Sequence, residues 1–194
     1  ALYDAGERMP VGKISDGTGS TPTLMGFGKG DDKLVVLTDG AKKMRLVAMW
    51  RDGIPKGWKP RPEFLSTRIV DQMTVDMGPD FPLVQSEQSV VAFGSHAFVL
   101  NGMPAPAALK PYPIQSTLLR GLLLGTTRPL PRGIAMYHWN SDQKRWRALW
   151  HRLDVGTVAT VPMISGKSRM VTLNGTLGDR LGQLYHLGFD IDTG

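Results

Sequence analysis

Lys33-Leu34-Val35-Val36-Leu37-Thr38, closed by Asp39-Gly40 and answered by Met44-Arg45-Leu46-Val47-Ala48-Met49-Trp50, is the stretch that decides the fold. Each run is apolar, rich in β-branched or large side chains, and six or seven residues long. Runs of that length are too short for a stable helix and suit a strand. The Gly and Asp between them supply turn conformations. Pro22-Thr23-Leu24-Met25-Gly26-Phe27-Gly28 precedes them as a further short strand, with a tight turn at Lys29-Gly30-Asp31-Asp32. Three short strands punctuated by turn residues predict an antiparallel meander.

The same phrase returns along the chain. After a Pro-containing loop from Arg51 to Pro62, Ile69–Asp76 alternates apolar and polar residues, as a half-exposed edge strand would. Ser89–Phe93, the turn Gly94-Ser95 and His96–Leu100 then repeat the pattern and close on Asn101-Gly102. Gly133–Trp139, the hairpin turn Asn140–Lys144 and Arg145–His151 follow, with Trp146, Ala148 and Trp150 at period two. A third start runs through Val158–Ile164, Ser165–Ser168 and Arg169–Leu173 to Asn174-Gly175, with a last strand over Gln183–Asp190. Leu37, Leu100 and Leu173 mark equivalent places, 63 and 73 residues apart. The fold class expected is therefore all-β, built from antiparallel four-stranded sheet repeats over 15–80, 85–152 and 157–194, the last incomplete. The segment 103–131 is an insertion carrying six of the fourteen prolines and the patch Leu118–Leu124. It reads either as a lid over a site or, as preferred here, as a loop that plugs one face and hides its own leucines. Helix is expected in fewer than about a tenth of residues, against a usual third.

Composition narrows the function classes. The 194 residues are 41% hydrophobic and 21% charged, an ordinary globular balance rather than that of a disordered chain. The net charge is +6, but the basic residues are scattered and no recognition motif accompanies them, so nucleic-acid binding is not expected. No window approaches the roughly 18 apolar residues of a membrane helix, and no signal-peptide pattern opens the chain. Cysteine is absent, which removes disulfides, thiolate metal sites and a cysteine nucleophile. That absence fits a cytosolic protein and an exported one alike; periplasmic or secreted is the working expectation. The chain begins at Ala1, so something ahead of it is expected to have been removed or left out.

The strand–turn–strand grammar resembles β-propeller proteins of the quinoprotein-like and gluconolactonase-like kind. Phe189-Asp190-Ile191-Asp192-Thr193-Gly194 looks like the Leu-Asp-x-x-Thr-Gly turn of quinoprotein-type blades, and Tyr137–Asp142 with Lys144–Trp150 like a looser version of the same hairpin. Gly19–Thr23 and Val161-Pro162-Met163 hold equivalent inner-strand places. The chain departs from the quinoprotein pattern in not repeating its tryptophan and glycine at fixed positions. The resemblance implies about three blades, whereas closure takes about four to eight. It therefore implies part of a larger propeller, with another chain or the rest of its parent as partner, and a segment that is not self-sufficient.

A propeller's site lies on its innermost strands, which the resemblance places at Thr21, Glu87, Gln88, Ser89 and Thr160. The repeat-closing residues Asp39, Asn101 and Asn174, with Glu87, are hard oxygen donors of the kind Ca²⁺ takes, and gluconolactonase-like propellers hold a metal with such residues. The competing reading is that Asp-Gly and Asn-Gly are simply favoured hairpin turns. His138 and His186, each one residue after a Tyr, are candidate general bases, or else packed, hydrogen-bonded side chains. Trp139, Trp146 and Trp150 offer rings for a small-molecule ligand such as a sugar or quinone, or fill space between sheets. Two readings remain open: a ligand-binding or scaffold segment without catalysis of its own, and part of a Ca²⁺-dependent lactonase-like hydrolase or quinoprotein-like oxidoreductase.

Overall fold

The structure, a computed structural model, describes Tyr3, Asp4, Gly6, Glu7 and residues 20–103, 130–157, 161–178 and 183–194. The insertion expected at 103–131 lies outside the described residues except for Met103, Leu130 and Pro131, and Thr160 lies outside them as well. All regular structure among the described residues is β-strand.

The first meander is β1 (Thr23–Met25), β2 (Leu34–Thr38), β3 (Arg45–Trp50) and β4 (Ile69–Thr74), antiparallel and paired in chain order. The second is β5 (Val91–Phe93), β6 (His96–Leu100), β7 (Arg132–Asn140) and β8 (Arg145–Thr157), again in chain order. The third is β9 (Met163–Ser165), β10 (Met170–Leu177) and β11 (Tyr185–Asp190). β8 runs to thirteen residues, and its last turn of ladder pairs Val155, Gly156 and Thr157 with Leu177, Thr176 and Gly175 of β10. That pairing fuses the second and third meanders into one seven-stranded sheet. The sheet curls until β5 lies beside β9, with Gly166 against the Phe93 ring, and so becomes an almost closed barrel.

Side-chain alternation explains the layering. In β6, Ala97 and Val99 point into one core cluster and Phe98 and Leu100 into another. In β7, Ala135, Tyr137 and Trp139 face the first cluster, and Ile134 and Met136 the second. A strand buried on both faces reads as a continuous apolar run, which is why Ala97–Leu100 and Gly133–Tyr137 carry no charged residue and the polar ones, His96, Arg132, His138 and Asn140, stand at or near the strand ends. The first cluster is completed from the first meander by Leu34, Val36, Leu46, Ala48 and Trp50. The second is completed from the third meander by Val171, Leu173, Phe189 and Ile191. The β5–β8 layer is thus the centre of the molecule, with a meander packed on each side.

Three expectations change. Trp146, Ala148 and Trp150 do not share a face. A bulge sets Met136 opposite Trp150 and Tyr137 opposite Ala148, leaving Leu149 unpaired and reversing the alternation. Trp146 therefore enters the first core, while Trp150 packs on the second. β4 is an edge strand in the sheet order, yet Ile69, Val70 and Asp71 are all buried. A second bulge sets Ala48 opposite Asp71 and Met49 opposite Ile69, with Val70 between. Asn174-Gly175 is not a turn but the middle of β10, opposite His186 and Tyr185. Glycine is required there for closeness: a Cβ on Gly175 would lie 2.5 Å from the Gly156 carbonyl oxygen.

The β7–β8 and β9–β10 hairpin turns and the turn after β11 share one design. Asn140 Oδ1 accepts from Gln143 N–H, Ser165 Oγ from Ser168 N–H, and Asp190 Oδ1 from Asp192 and Thr193 N–H. The fifth residue of each, Lys144, Arg169 or Gly194, has positive φ. A side-chain acceptor followed by a left-handed residue reverses the chain tightly.

Candidate functional site

The first strands of the three meanders are neighbours: β1 lies beside β5, and β5 beside β9. Thr23 Oγ1 donates to the Val90 carbonyl, and Thr21 N–H donates to Ser89 Oγ at 3.0 Å. These bonds draw together the polar residues that lead into β1 and β5. Thr21 and Glu87 are exposed, and Gln88 and Ser89 are half-buried. Gln88 is held by its N–H, which donates to Ser86 Oγ. The sequence-derived ligand residues Thr21, Glu87 and Gln88 therefore share one region, on the row of first strands. Trp139 does not join them. Its ring is 3% exposed, set edge-to-face on Trp146, and its indole N–H donates to Asp32. It presents no face to a ligand.

The oxygen donors proposed for Ca²⁺ have structural occupations. Asp39, its side chain 2% exposed, accepts from the Arg45 guanidinium, from Ala41 and Arg45 N–H and from the Tyr3 hydroxyl. Burial, and then Asp39, hold the Tyr3 hydroxyl well above its ordinary range of titration. Asn101 Oδ1 accepts from Gln85 and Met103 N–H, while its Nδ2 donates to the Met103 and Arg132 carbonyls. Asn174 lies on the exposed surface of β10, its Oδ1 at 2.9 Å from His186 Nδ1. Among the described residues, no three His, Asp or Glu side chains are gathered in a way that could hold a metal ion.

His186 is exposed and His138 half-buried. His138 Nε2 is 2.9 Å from Ser95 Oγ, and its ring meets that of His96, directly across the ladder, at 5.2 Å. Burial, then the neighbouring His96 and Arg147, push the His138 imidazole below its ordinary range. His96 Nε2 lies 3.1 Å from Asp192 Oδ1, and Arg169 donates to the other oxygen of Asp192 at 2.6 Å. Sequence reading passed over Ser95, His96, Arg169 and Asp192. His96 and Asp192 are 96 residues apart, and no local spacing links them.

A related polar contact joins the first meander to the second. Asp32, in the turn after β1, accepts from Lys144 at 2.6 Å and from Trp139 at 2.9 Å. A comparable contact joins the second to the third: His96, the first residue of β6, meets Asp192 in the turn after β11.

No family model matches the chain, and no solved structure matches it. It is 31% identical over 178 residues to an uncharacterized protein of Archaeoglobus fulgidus, an alignment that covers 92% of this chain and 34% of that protein. The chain spans about a third of that relative's length.

Proposed function

We propose that this chain is a ligand-binding or scaffold segment of a larger β-propeller, three successive blades of it, without catalysis of its own. The observation that carries the reading is the row β1, β5, β9: the first strands of consecutive meanders lie side by side, with an apolar core between each successive pair of meanders, although β8 and β10 also join the second and third into one sheet. Such a row is what blades set radially about a channel would present. Polar contacts between successive meanders, Asp32 with Lys144 and His96 with Asp192, also support it. The binding region is the channel side, at Thr21, Glu87, Gln88 and Ser89, and suits a small polar ligand.

The outer side of the third meander favours a further blade of the parent protein as partner. Met163 and Met170 are exposed on it, 63% and 36% respectively. Among the described residues β11 has one ladder neighbour, whereas the corresponding β3 and β7 each have two. Exposed methionines and a strand edge without a partner among the described residues both suit a further sheet. Sedimentation of the isolated 194-residue chain tests the reading. Self-association is expected, and should disappear in the full-length parent. A monodisperse monomer with a cooperative melt would refute it.

A further inference from the structure

We propose that the cleft between β3, β4 and the segment 63–65 is a binding site for an aminoacyl group: a primary ammonium with a carbonyl oxygen beside it and a short apolar side chain, as in an amino-acid amide or the amino terminus of a peptide. The inference does not depend on the propeller reading. It needs only the first meander and the two segments that cover its outer face.

The cleft follows from how β3 and β4 divide their side chains. Leu46, Ala48 and Trp50 of β3 and Val70 of β4 enter the first core. Arg45, Val47 and Met49 alternate with them and face the other way, and Gln72 and Ile69 stand across the ladder from Val47 and Met49. That second face is covered as well, since Val47 and Ile69 are 0% and 1% exposed. Asp4 and the segment Glu63–Leu65, together with Arg45, Ile69 and Gln72, line a cleft of about 300 Å³ there. That is the lower end of the range for small-ligand sites.

Three features define what fits. The first is an unused donor. Gln72 lines the cleft, and its Nε2 is buried with no hydrogen-bond partner among the described residues. A buried donor left unpaired is costly, and a ligand's acceptor oxygen relieves the cost. The second is charge. Arg45 is already engaged, by the Asp39 carboxylate, the Tyr3 hydroxyl and the Asp4 carbonyl. Glu63 is exposed and pairs with no cation among the described residues, and the Asp4 carboxylate accepts from Gly6 N–H. Asp4 and Glu63 are therefore in excess, an acidic spot on a chain of net charge +6, and such a spot draws a cation. The same two carboxylates repel an anion, so the acceptor oxygen belongs to an amide and not to a free carboxylate. The third is an apolar wall, made by Phe64, half-buried, and Leu65, 61% exposed. The bonds that hold Arg45 to Asp39 and Tyr3 fix this side of the cleft before a ligand arrives, which lowers the cost of binding.

Calorimetric titration of the 194-residue chain with leucinamide at pH 7, where an α-amine is largely charged, tests the site. Saturable binding with a Kd of about 1 mM or lower is expected of so small a ligand. N-acetyl-leucinamide lacks the cation and 3-methylbutylamine lacks the carbonyl, so each should bind about tenfold more weakly. Free leucine should also bind more weakly, because its carboxylate meets Asp4 and Glu63. Glu63→Gln changes an exposed side chain and should weaken leucinamide by about fivefold or more and reduce the salt dependence of binding. Gln72→Met keeps the length and removes the donor. It should weaken leucinamide by about fivefold or more, yet leave 3-methylbutylamine and the urea midpoint unchanged, since Nε2 has no bond to lose. Leu-Gly-Gly separates the two sources: an affinity equal to that of leucinamide assigns the site to a peptide terminus, and no detectable binding assigns it to a free amide. No saturable binding of leucinamide, equal binding of N-acetyl-leucinamide, or an unchanged affinity in either variant would overturn the proposal.

Discussion

Asp71→Ala should be strongly destabilising, because this carboxylate of the first meander also bonds the second. Asp71 is a buried carboxylate on β4, its side chain 9% exposed. Oδ1 accepts from Arg61 at 2.6 Å, and Oδ2 accepts from the main-chain N–H of Trp146 on β8 at 2.8 Å. One side chain thus bonds a guanidinium that is itself 17% exposed and a strand of the neighbouring meander. Truncation leaves Arg61 facing a low-dielectric site with only the Lys144 carbonyl as acceptor, and strands the Trp146 N–H. Breaking one partner out of a buried pair costs about 3–5 kcal/mol, and the orphaned N–H is part of that rather than a separate sum. With a urea m-value of about 2 kcal/mol/M, a loss of 4 kcal/mol moves the midpoint down by about 2 M. Asp71→Asn keeps an acceptor for Trp146 and gives up only the charge, so about 1–3 kcal/mol is expected. Unfolding followed by tryptophan fluorescence at sub-micromolar concentration measures both, and the cycle with Arg61→Ala should return a coupling of at least about 1 kcal/mol. A cost below about 1 kcal/mol for Asp71→Ala would refute the claim that this carboxylate joins the two sheets.

Three further outcomes are expected. Asn101→Ala removes four hydrogen bonds to backbone groups and should cost about 2–5 kcal/mol in the same assay, because Asn101 is buried and groups at Gln85, Met103 and Arg132 lose their partner. Phe98→Ala empties the centre of the second core and should cost about 3–5 kcal/mol, detectable as a lowered midpoint with an unchanged slope. Stability should fall on acidification in two legs. His138, lowered in the fold, takes its proton more readily when unfolded, so stability declines as pH drops through the ordinary histidine range and levels off below its folded value. Asp76, Asp154 and Asp192 are lowered chiefly by side-chain bonds to Lys43, Arg152 and Arg169, so their contribution is full above the ordinary carboxylate range and is lost as pH falls through their folded values. A urea midpoint measured from pH 8 to pH 3 checks both legs, and His138→Gln should flatten the first alone.

The strands were legible because their signals are local. Leu34–Thr38, Arg45–Trp50, His96–Leu100 and Arg132–Asn140 are each a β-branched or aromatic run ended by turn residues, and each is a strand. Faces were less legible, because a bulge at Leu149 reverses the alternation on β8, a second register shift follows before Gly156, and nothing in Arg145–His151 announces the first. Asn174-Gly175 misled for a different reason. The pair that favours a turn in isolation also permits two backbones to approach, and only the partner strand decides between the uses. Of the candidate site, Thr21 and Gln88 could be placed together from the equivalence of their repeats. Trp139 could not be excluded from sequence, since a tryptophan that binds a ligand and one that fills a core look alike until its indole is seen on Asp32. The His96–Asp192 contact joins residues almost half the chain apart, beyond the reach of any pattern.

The fusion of the second and third meanders depends on two glycines, and they should not tolerate alanine equally. β8 and β10 meet over only three residue pairs, and each strand contributes a glycine there. A Cβ on Gly175 would stand 2.5 Å from the Gly156 carbonyl oxygen, which is backbone within a ladder and cannot turn aside. A Cβ on Gly156 would stand 2.1 Å from Thr176 Oγ1 but 3.4 Å from Thr176 Cβ, so the conflict is with one side-chain atom. That hydroxyl is buried without a hydrogen-bond partner, so moving it forfeits no bond. Gly156→Ala should therefore be relieved by Thr176→Ala, which removes the offending atom, whereas nothing at position 176 can relieve Gly175→Ala. Overpacking of this kind costs about 1–3 kcal/mol. Gly175→Ala belongs at or above the top of that range, and Gly156→Ala lower, with most of its cost recovered in the double variant. Urea midpoints of the three variants decide the matter. If Thr176→Ala rescues neither glycine, or rescues both, the approach of β8 to β10 is not set by these contacts, and the barrel closes for another reason.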